Sequence, residues 1–255
     1  MKHSGKPQRR SRPPRPSARP AGGDGIALLY GLHTVAEALA NPRRQIRRLL
    51  VTPNALARLE AAIARRGITP EAAHPGDLDR LTGPGAVHQG AVAEAEPLAQ
   101  PRLHEIAADG TVVVLDQVTD PHNVGAIARS CAAFGVAALI TTTRHSPALT
   151  GVLAKAASGA LEHVPFITVT NLARALDELK EAGFTVLGLD SEAAEPLEAH
   201  AASRPVALVL GAEGKGLRHL TRQTCTHLVR LDLPGPIRSL NVSNAAALAL
   251  YALKC

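Results

Sequence analysis

The sequence predicts an α/β protein with a parallel sheet, preceded by a smaller α/β unit and a disordered basic tail. From residue 111 onward, short apolar runs rich in β-branched residues alternate with helical stretches. That alternation is typical of a parallel sheet with helices on both faces. A shorter alternation occupies residues 25–96, and residues 1–24 contain almost no apolar side chains.

The tail, residues 1–24, carries the whole net charge of +6, because basic and acidic residues balance over the rest of the chain. It is rich in Pro, Ser and Gly and cannot form a core, so we expect it to be disordered. Two interpretations stay open. The tail is either a solvated leader without a specific role or an electrostatic arm for RNA or ribosomes.

The composition argues against several classes of protein. Hydrophobic residues make up 45% of the chain and charged residues 20%, as in globular proteins. No apolar run approaches the roughly 20 residues that span a membrane. The basic start is followed by proline and arginine, so no signal peptide is expected. The three cysteines are far apart and form no CxxC pair. We therefore expect a cytoplasmic protein with neither disulfides nor a bound metal.

Residues 25–96 are predicted to form a compact α/β unit. Asn41-Pro42 stops a helix over 31–40, and Gly67 closes a helix that Pro53-Asn54 opens. The remaining predicted elements are strands over 46–52, 68–73 and 87–95 and a short helix over 75–81. Residues 97–110 have the composition of a linker.

One dense basic cluster lies in this unit and consists of Arg43, Arg44, Arg47 and Arg48. Arginines grouped in this way can neutralise RNA phosphates, so we predict that the cluster binds RNA. A solvated face balanced by nearby acids explains it about equally well.

Six strands and a closing helix are predicted in the larger unit, residues 111–255. The strands span 111–115, 136–141, 164–169, 184–189, 206–210 and 228–233. The closing helix, 244–254, is apolar almost all round, which is compatible with burial at an interface. Three polar stretches follow strands of this unit and would meet at the carboxyl edge of the sheet.

The first polar stretch follows the strand that ends at Leu115. Asn123 is predicted to begin a helix of small and apolar residues that also contains Arg129. An arginine there must reach a pocket or pair with an anion, because burying it unpaired is costly. A structural salt bridge also explains Arg129, and a helix cap also explains Asn123.

The second stretch is the glycine-rich loop 211–217, which carries Glu213. Its glycines let a ligand approach the backbone closely. Its spacing fits neither a phosphate-binding loop nor a dinucleotide fingerprint. Alone, Glu213 could equally be a helix-capping acid.

The third stretch, 231–244, has a Pro-Gly-Pro loop followed by four small polar side chains. One of the four must cap the closing helix, which leaves three without a structural explanation. The four are Ser239, Asn241, Ser243 and Asn244.

Taken together, segments 123–130, 211–217 and 239–243 resemble the three motifs of the SpoU branch of the SPOUT superfamily of RNA 2′-O-ribose methyltransferases. Segment 155–163 is also similar to that branch. Residues 26–96 more loosely resemble the substrate-binding domain of bacterial members that act on large-subunit rRNA, with 88–90 as the best local match. Leu231-Asp232-Leu233 departs from the Ile-Pro-Met common in the family, so we expect the strand end there to differ.

The resemblance implies a trefoil knot at the carboxyl edge, S-adenosylmethionine bound in the knot, and a homodimer formed through this region. The residues expected to hold the cofactor are Gly211, Leu231, Leu240, Leu189 and Leu233.

The resemblance also makes Arg129 the central catalytic residue, assisted by Asn123, Glu213, Ser239 and Asn241. Arginine is a poor base because its reference pKa exceeds about 12. Arg129 is therefore either a strongly perturbed base or a group that holds phosphate and the developing alkoxide, with water or Glu213 accepting the proton.

The expected function is methylation of a guanosine ribose in 23S rRNA. The first alternative is a tRNA 2′-O-methyltransferase of the same branch, which the extra amino-terminal unit disfavours mildly. The second is a catalytically silent RNA-binding or ribosome-assembly protein. A silent scaffold has no reason to retain all five catalytic candidates.

Overall fold

The computed structural model describes residues 25–106, 110–144, 147, 151–201 and 203–253. The predicted basic tail, 1–24, lies outside the described residues. Within them, no helix combines the length and apolarity needed to cross a membrane.

The amino-terminal unit is a four-stranded sheet in the order β1-β4-β2-β3, antiparallel except for the β2–β3 pair. Thr52 caps the second of its three helices, and Gly67 ends that helix with a left-handed φ of 69°. Its elements are β1 (Ala27–Tyr30), α1 (Leu32–Ala40), β2 (Ile46–Val51), α2 (Pro53–Arg66), β3 (Glu71–Ala72), α3 (Pro75–Thr82) and β4 (Ala91–Ala95).

Strand β4 is shorter than the predicted 87–95. Gln89 and Gly90 have φ of 54° and 81°, so the chain turns there and cannot pair as a strand until Ala91.

The carboxyl-terminal unit is a seven-stranded parallel sheet in the order β7-β6-β5-β10-β8-β11-β9, which confirms the predicted fold class. Its central strands are buried on both faces, as in covered parallel sheets. The strands are β5 (Thr111–Asp116), β6 (Ala138–Thr142), β7 (Phe166–Val169), β8 (Thr185–Leu189), β9 (Glu195–Pro196), β10 (Val206–Gly211) and β11 (His227–Arg230). The helices are α4 (Pro121–Ala133), α5 (Gly151–Ala157), α6 (Leu172–Glu181), α7 (His219–Thr224) and α8 (Val242–Leu253).

The last strand and the last helix differ from their predicted bounds. β11 ends at Arg230 rather than 233, because its outer partner β9 is only two residues long and pairing stops with it. Leu231 and Leu233 consequently lie in a loop. α8 begins at Val242, two residues earlier than predicted.

Strand register determines which loops meet. Leu210 lies opposite Leu115 and Gly211 opposite Asp116, so β5 and β10 end at the same level of the sheet. The loop before α4 and the loop 211–217 therefore begin side by side, as the sequence predicts for parallel strands. The trefoil knot stays a prediction.

The two units pack on each other through α5. Ala154 of that helix is buried among the core residues of the amino-terminal unit. Gly151 lies so close to Tyr30 that a Cβ at Gly151 would be 2.4 Å from the tyrosine ring.

Candidate functional site

A cavity of about 440 Å³ opens at the carboxyl edge of the large sheet, between the loops that follow β8, β10 and β11. All five residues predicted to hold the cofactor line it, together with Glu213 and Ser239 from the catalytic set. The five are Leu189, Gly211, Leu231, Leu233 and Leu240. Seven of the sequence-derived candidates thus share one cavity, whereas Asn241, Asn123 and Arg129 are not among the residues that line it.

Gly211 has a packing reason to be glycine. A Cβ there would lie 2.2 Å from the carbonyl carbon of Gly216 and 2.5 Å from the Leu217 nitrogen. The loop closes on itself through a hydrogen bond from Gly216 N to Ala212 O at 2.8 Å. A tight backbone turn therefore forms one wall of the cavity.

The cavity also contains charged side chains that the sequence analysis did not single out. Arg222 forms an ion pair with Asp190, and Lys215 and Arg238 add two further cations. Asp190 directly follows a predicted strand at the same edge, which is the signal that could have identified it.

Glu213 joins the three polar stretches. Its Oε1 accepts hydrogen bonds from Asn241 Nδ2 at 2.5 Å and Asn123 Nδ2 at 3.3 Å. The same oxygen accepts from the backbone nitrogen of Val242, the first residue of α8, at 3.2 Å. Glu213 therefore caps a helix, as one alternative held, and also orients two amide side chains.

The two asparagines differ in their capping roles. Asp120 is the N-cap of α4 and accepts from His122 N at 2.9 Å, so the interpretation of Asn123 as the cap is wrong. Asn241 does cap α8, because its Oδ1 accepts from Ser243 N at 2.9 Å. Asn241 Nδ2 also donates to Asn123 Oδ1 at 3.0 Å. We refer to Asn123, Glu213 and Asn241 as the amide–carboxylate cluster.

Two family models match the chain. One, the SpoU rRNA Methylase family, matches residues 110–251. The other, RNA 2′-O ribose methyltransferase substrate binding, matches residues 28–101. The chain belongs to the SpoU rRNA methylase family.

Relatives and solved structures agree with this family. The 23S rRNA (guanosine-2′-O-)-methyltransferase RlmB of Ralstonia nicotianae is 42% identical over 236 residues, covering 88% of this chain and 93% of the relative. RlmB of Bordetella pertussis is 38% identical over 232 residues, covering 88% and 95%. The crystal structure of the SpoU methyltransferase AviRb from Streptomyces viridochromogenes in complex with AdoMet superposes with a TM-score of 0.77 at 24% identity, covering 90% of this chain and 89% of that one. The similarity to AviRb shows that this chain has the same fold as that protein.

Arg129 of this SpoU family member does not meet the expectation that it reaches a pocket or pairs with an anion. Its side chain is exposed on α4 and forms no hydrogen bond or ion pair with any other described residue. It lies about 1.7 turns beyond Asn123 on the same helix. The salt-bridge alternative is therefore also wrong within the described part of the chain.

The basic cluster of the amino-terminal unit is divided by the fold. Arg44 cannot contact RNA, because its side chain is 5% exposed and is paired with Glu162 of the large unit. Arg47 pairs with Glu96, and of the four arginines only Arg43 is exposed and forms no ion pair with a described residue.

Arg48, the fourth member of the cluster, pairs with Glu71 and Glu94. Its hydrogen bond with Glu71 raises the pKa of Arg48 and lowers the pKa of Glu71. The balanced-face interpretation thus describes Arg47 and Arg48, whereas Arg43 keeps a free charge.

One group of side chains in the described ranges brings potential metal ligands together, and the expectation that the protein binds no metal stays a prediction. Glu195, His200 and His227 bring their potential ligand atoms within 4.8 Å of one another. They also hydrogen-bond or ion-pair among themselves, with 2.9 Å between His200 Nε2 and Glu195 Oε2. The histidines are not near each other in sequence, so only the fold could reveal this group.

Proposed function

We propose that this chain transfers the methyl group of S-adenosylmethionine to the 2′-oxygen of a guanosine ribose in 23S rRNA. The observation that carries the proposal is the amide–carboxylate cluster beside the cavity, joined through Glu213 to the loop that lines it. The names of the RlmB relatives, with 38–42% identity over most of the chain, support the substrate class.

The cavity suits the cofactor. Its leucines can cover an adenine ring, and the glycine loop exposes backbone groups to the nucleoside. The methyl group of the sulfonium is already electrophilic, so the protein has to align the ribose oxygen with it and remove one proton. The enclosing loops 211–217 and 231–241 are those that the resemblance assigns to the knot.

The amide–carboxylate cluster is better suited to orientation than to accepting the proton. Three donors already occupy Glu213 Oε1. We infer that Glu213 holds Asn123 and Asn241, and that these amides and Ser239 position the ribose. Arg129, an exposed cation, holds the RNA phosphate and stabilises the developing alkoxide, and water takes the proton.

The amino-terminal unit is proposed to bind the RNA, in agreement with the substrate-binding family model that matches it. Arg43 is the member of the predicted basic cluster that is exposed and has no ion pair among the described residues, and Arg58 and Arg65 of α2 share that property. Replacing Arg43 with alanine is expected to weaken RNA binding. The slope of the logarithm of the binding constant against the logarithm of salt concentration should fall in magnitude by about one. Filter binding across a salt series measures both. An unchanged slope would exclude Arg43 as a phosphate contact, and the matched exposed arginine Arg174 on α6 should show no effect.

A homodimer through the large unit is part of the proposal. Leu248 and Tyr251 lie on one face of α8 and are 47% and 71% exposed. A second copy would remove this apolar surface from water. We place the enzyme in the cytoplasm, with ribosomal RNA as its substrate.

The function is tested by mapping 2′-O-methyl groups in total RNA from cells with and without this protein. Loss of one methylated guanosine in 23S rRNA, restored by purified protein and S-adenosylmethionine, is the expected result. Loss of a tRNA methyl group instead would favour the tRNA enzyme. RNA binding without any change in methylation would favour a silent scaffold.

A further inference from the structure

Segment 155–163, which the sequence analysis noted without a role, lies against the amino-terminal unit along its length. Lys155 Nζ donates to Gln89 Oε1 at 2.7 Å, and His163 Nε2 lies 2.8 Å from Glu37 Oε2. Between them, a Cβ at Gly159 would be 2.3 Å from the Glu37 side chain. The segment is therefore the docking surface of the large unit for the small one.

A buried ion pair lies at the centre of this surface. Arg44 and Glu162 have side chains only 5% and 2% exposed, and their Nη2 and Oε1 atoms are 2.6 Å apart. Arg44 Nε also lies 3.1 and 3.0 Å from the two carboxylate oxygens, and Asn41 Nδ2 donates to Oε2 at 2.8 Å. Two donor side chains of the small unit thus saturate one carboxylate of the large unit.

Arg44 is itself held rigidly within the small unit. Its Nη1 donates to the backbone oxygen of Glu96 at 2.8 Å, and its backbone oxygen accepts from Arg66 Nη2 at 2.5 Å. Buried ion pairs contribute little net stability, since desolvation offsets most of the attraction, but bidentate hydrogen bonds fix direction. We therefore expect this arrangement to fix the relative orientation of the two units.

The docking surface is one helix away from the amide–carboxylate cluster. Glu162 follows α5 closely in sequence, and α5 packs against α4. At Gly125, a Cβ would lie 2.4 Å from Ala156 Cβ and 2.7 Å from the Ala156 carbonyl carbon. This contact of helix backbones is two residues from Asn123.

We propose that Glu162 is a positioning residue which, through Arg44 and Asn41, fixes the RNA-binding unit relative to helix α4 and so determines which ribose reaches the cluster. The proposal rests on the proposed function. It assigns no chemistry to Glu162, because the residue does not line the cavity and acts through the units that it joins.

The test uses the full chain with the paired substitution Arg44→Met and Glu162→Met, which removes both charges together and leaves no charge buried alone. Arg44→Lys is a second variant that keeps the charge and loses the bidentate geometry. The matched control is Arg174→Met with Glu178→Met, an exposed arginine–glutamate pair on α6. Thermal unfolding verifies that each variant folds.

Two measurements decide the outcome. Spin labels at Glu60 and Glu181, with Cys225 and Cys255 replaced by serine, report the distance distribution between units without requiring activity. Methyl transfer to rRNA reports kcat and the positions modified. For the paired variant we expect a broadened distance distribution, unchanged S-adenosylmethionine affinity, a kcat lower by roughly tenfold or more, and methylation of neighbouring riboses. Arg44→Lys should change both readouts in the same direction but less, and the control pair should leave both unchanged.

An unchanged distance distribution in a folded paired variant would overturn the proposal, as would a broadened distribution with unchanged kcat and an unchanged methylated position. Absence of RNA methylation by the wild-type chain would instead refute the proposed function, and the distance measurement would still report whether Glu162 fixes the units.

Discussion

Replacing Gly211 with alanine is expected to weaken S-adenosylmethionine binding by roughly a hundredfold, or about 2–3 kcal/mol. The added Cβ would overlap the carbonyl carbon of Gly216 at 2.2 Å, and these backbone atoms cannot rotate away as a flexible side chain could. The loop 211–217 must move as a whole. Because the loop forms a wall of the cavity and carries Glu213, its movement would displace both the proposed cofactor site and the amide–carboxylate cluster.

Isothermal titration with S-adenosylmethionine measures this effect without any RNA. The matched control is Gly76→Ala in α3, where a Cβ would meet nothing within 4 Å and the affinity should not change. Thermal unfolding of both variants separates local displacement from general loss of structure. If Gly211→Ala bound the cofactor as tightly as the wild-type chain, this cavity could not be its site.

The position of the cavity was predictable from the sequence because parallel strands that end in unusual loops share one edge. The runs before Asp116 and Gly211 are short, apolar and β-branched, and their ends do lie at the same level in the sheet. The sequence also predicts a glycine-rich loop over 211–217, and in the structure Gly211 faces the backbone of Gly216.

Partners distant in sequence could not be predicted in the same way. Arg44 looks like its three neighbouring arginines, and only the docking of the two units places it against Glu162, 118 residues away. The two-residue strand β9 has no apolar periodicity, so neither it nor the early end of β11 has a sequence signal. Glu213 shows the same limit, because the sequence predicts that the three polar stretches meet but not that Glu213 bonds to Asn123 and to the backbone of Val242.

Replacing Arg129 with alanine is expected to lower kcat by roughly 100- to 1,000-fold, or about 2.7–4 kcal/mol, and to leave S-adenosylmethionine affinity unchanged. The structure makes this variant informative. Arg129 is exposed and pairs with no other described residue, so its truncation should not cost stability. It also does not line the cavity, so the cofactor should bind as before. A large loss of turnover would then reflect the transition state alone.

Single-turnover methyl transfer at saturating RNA and cofactor separates this effect from weaker RNA binding, and Arg174→Ala on α6 provides an exposed arginine with no expected effect. Arg129→Lys distinguishes charge stabilisation of the alkoxide from orientation of the phosphate. Lysine keeps the positive charge but cannot donate two parallel hydrogen bonds to a phosphate. Recovery of most activity in the lysine variant would indicate charge stabilisation of the alkoxide. Failure to recover would indicate that the guanidinium orients the phosphate. Near wild-type turnover in Arg129→Ala would remove Arg129 from the mechanism and leave the amide–carboxylate cluster to act on the ribose without it.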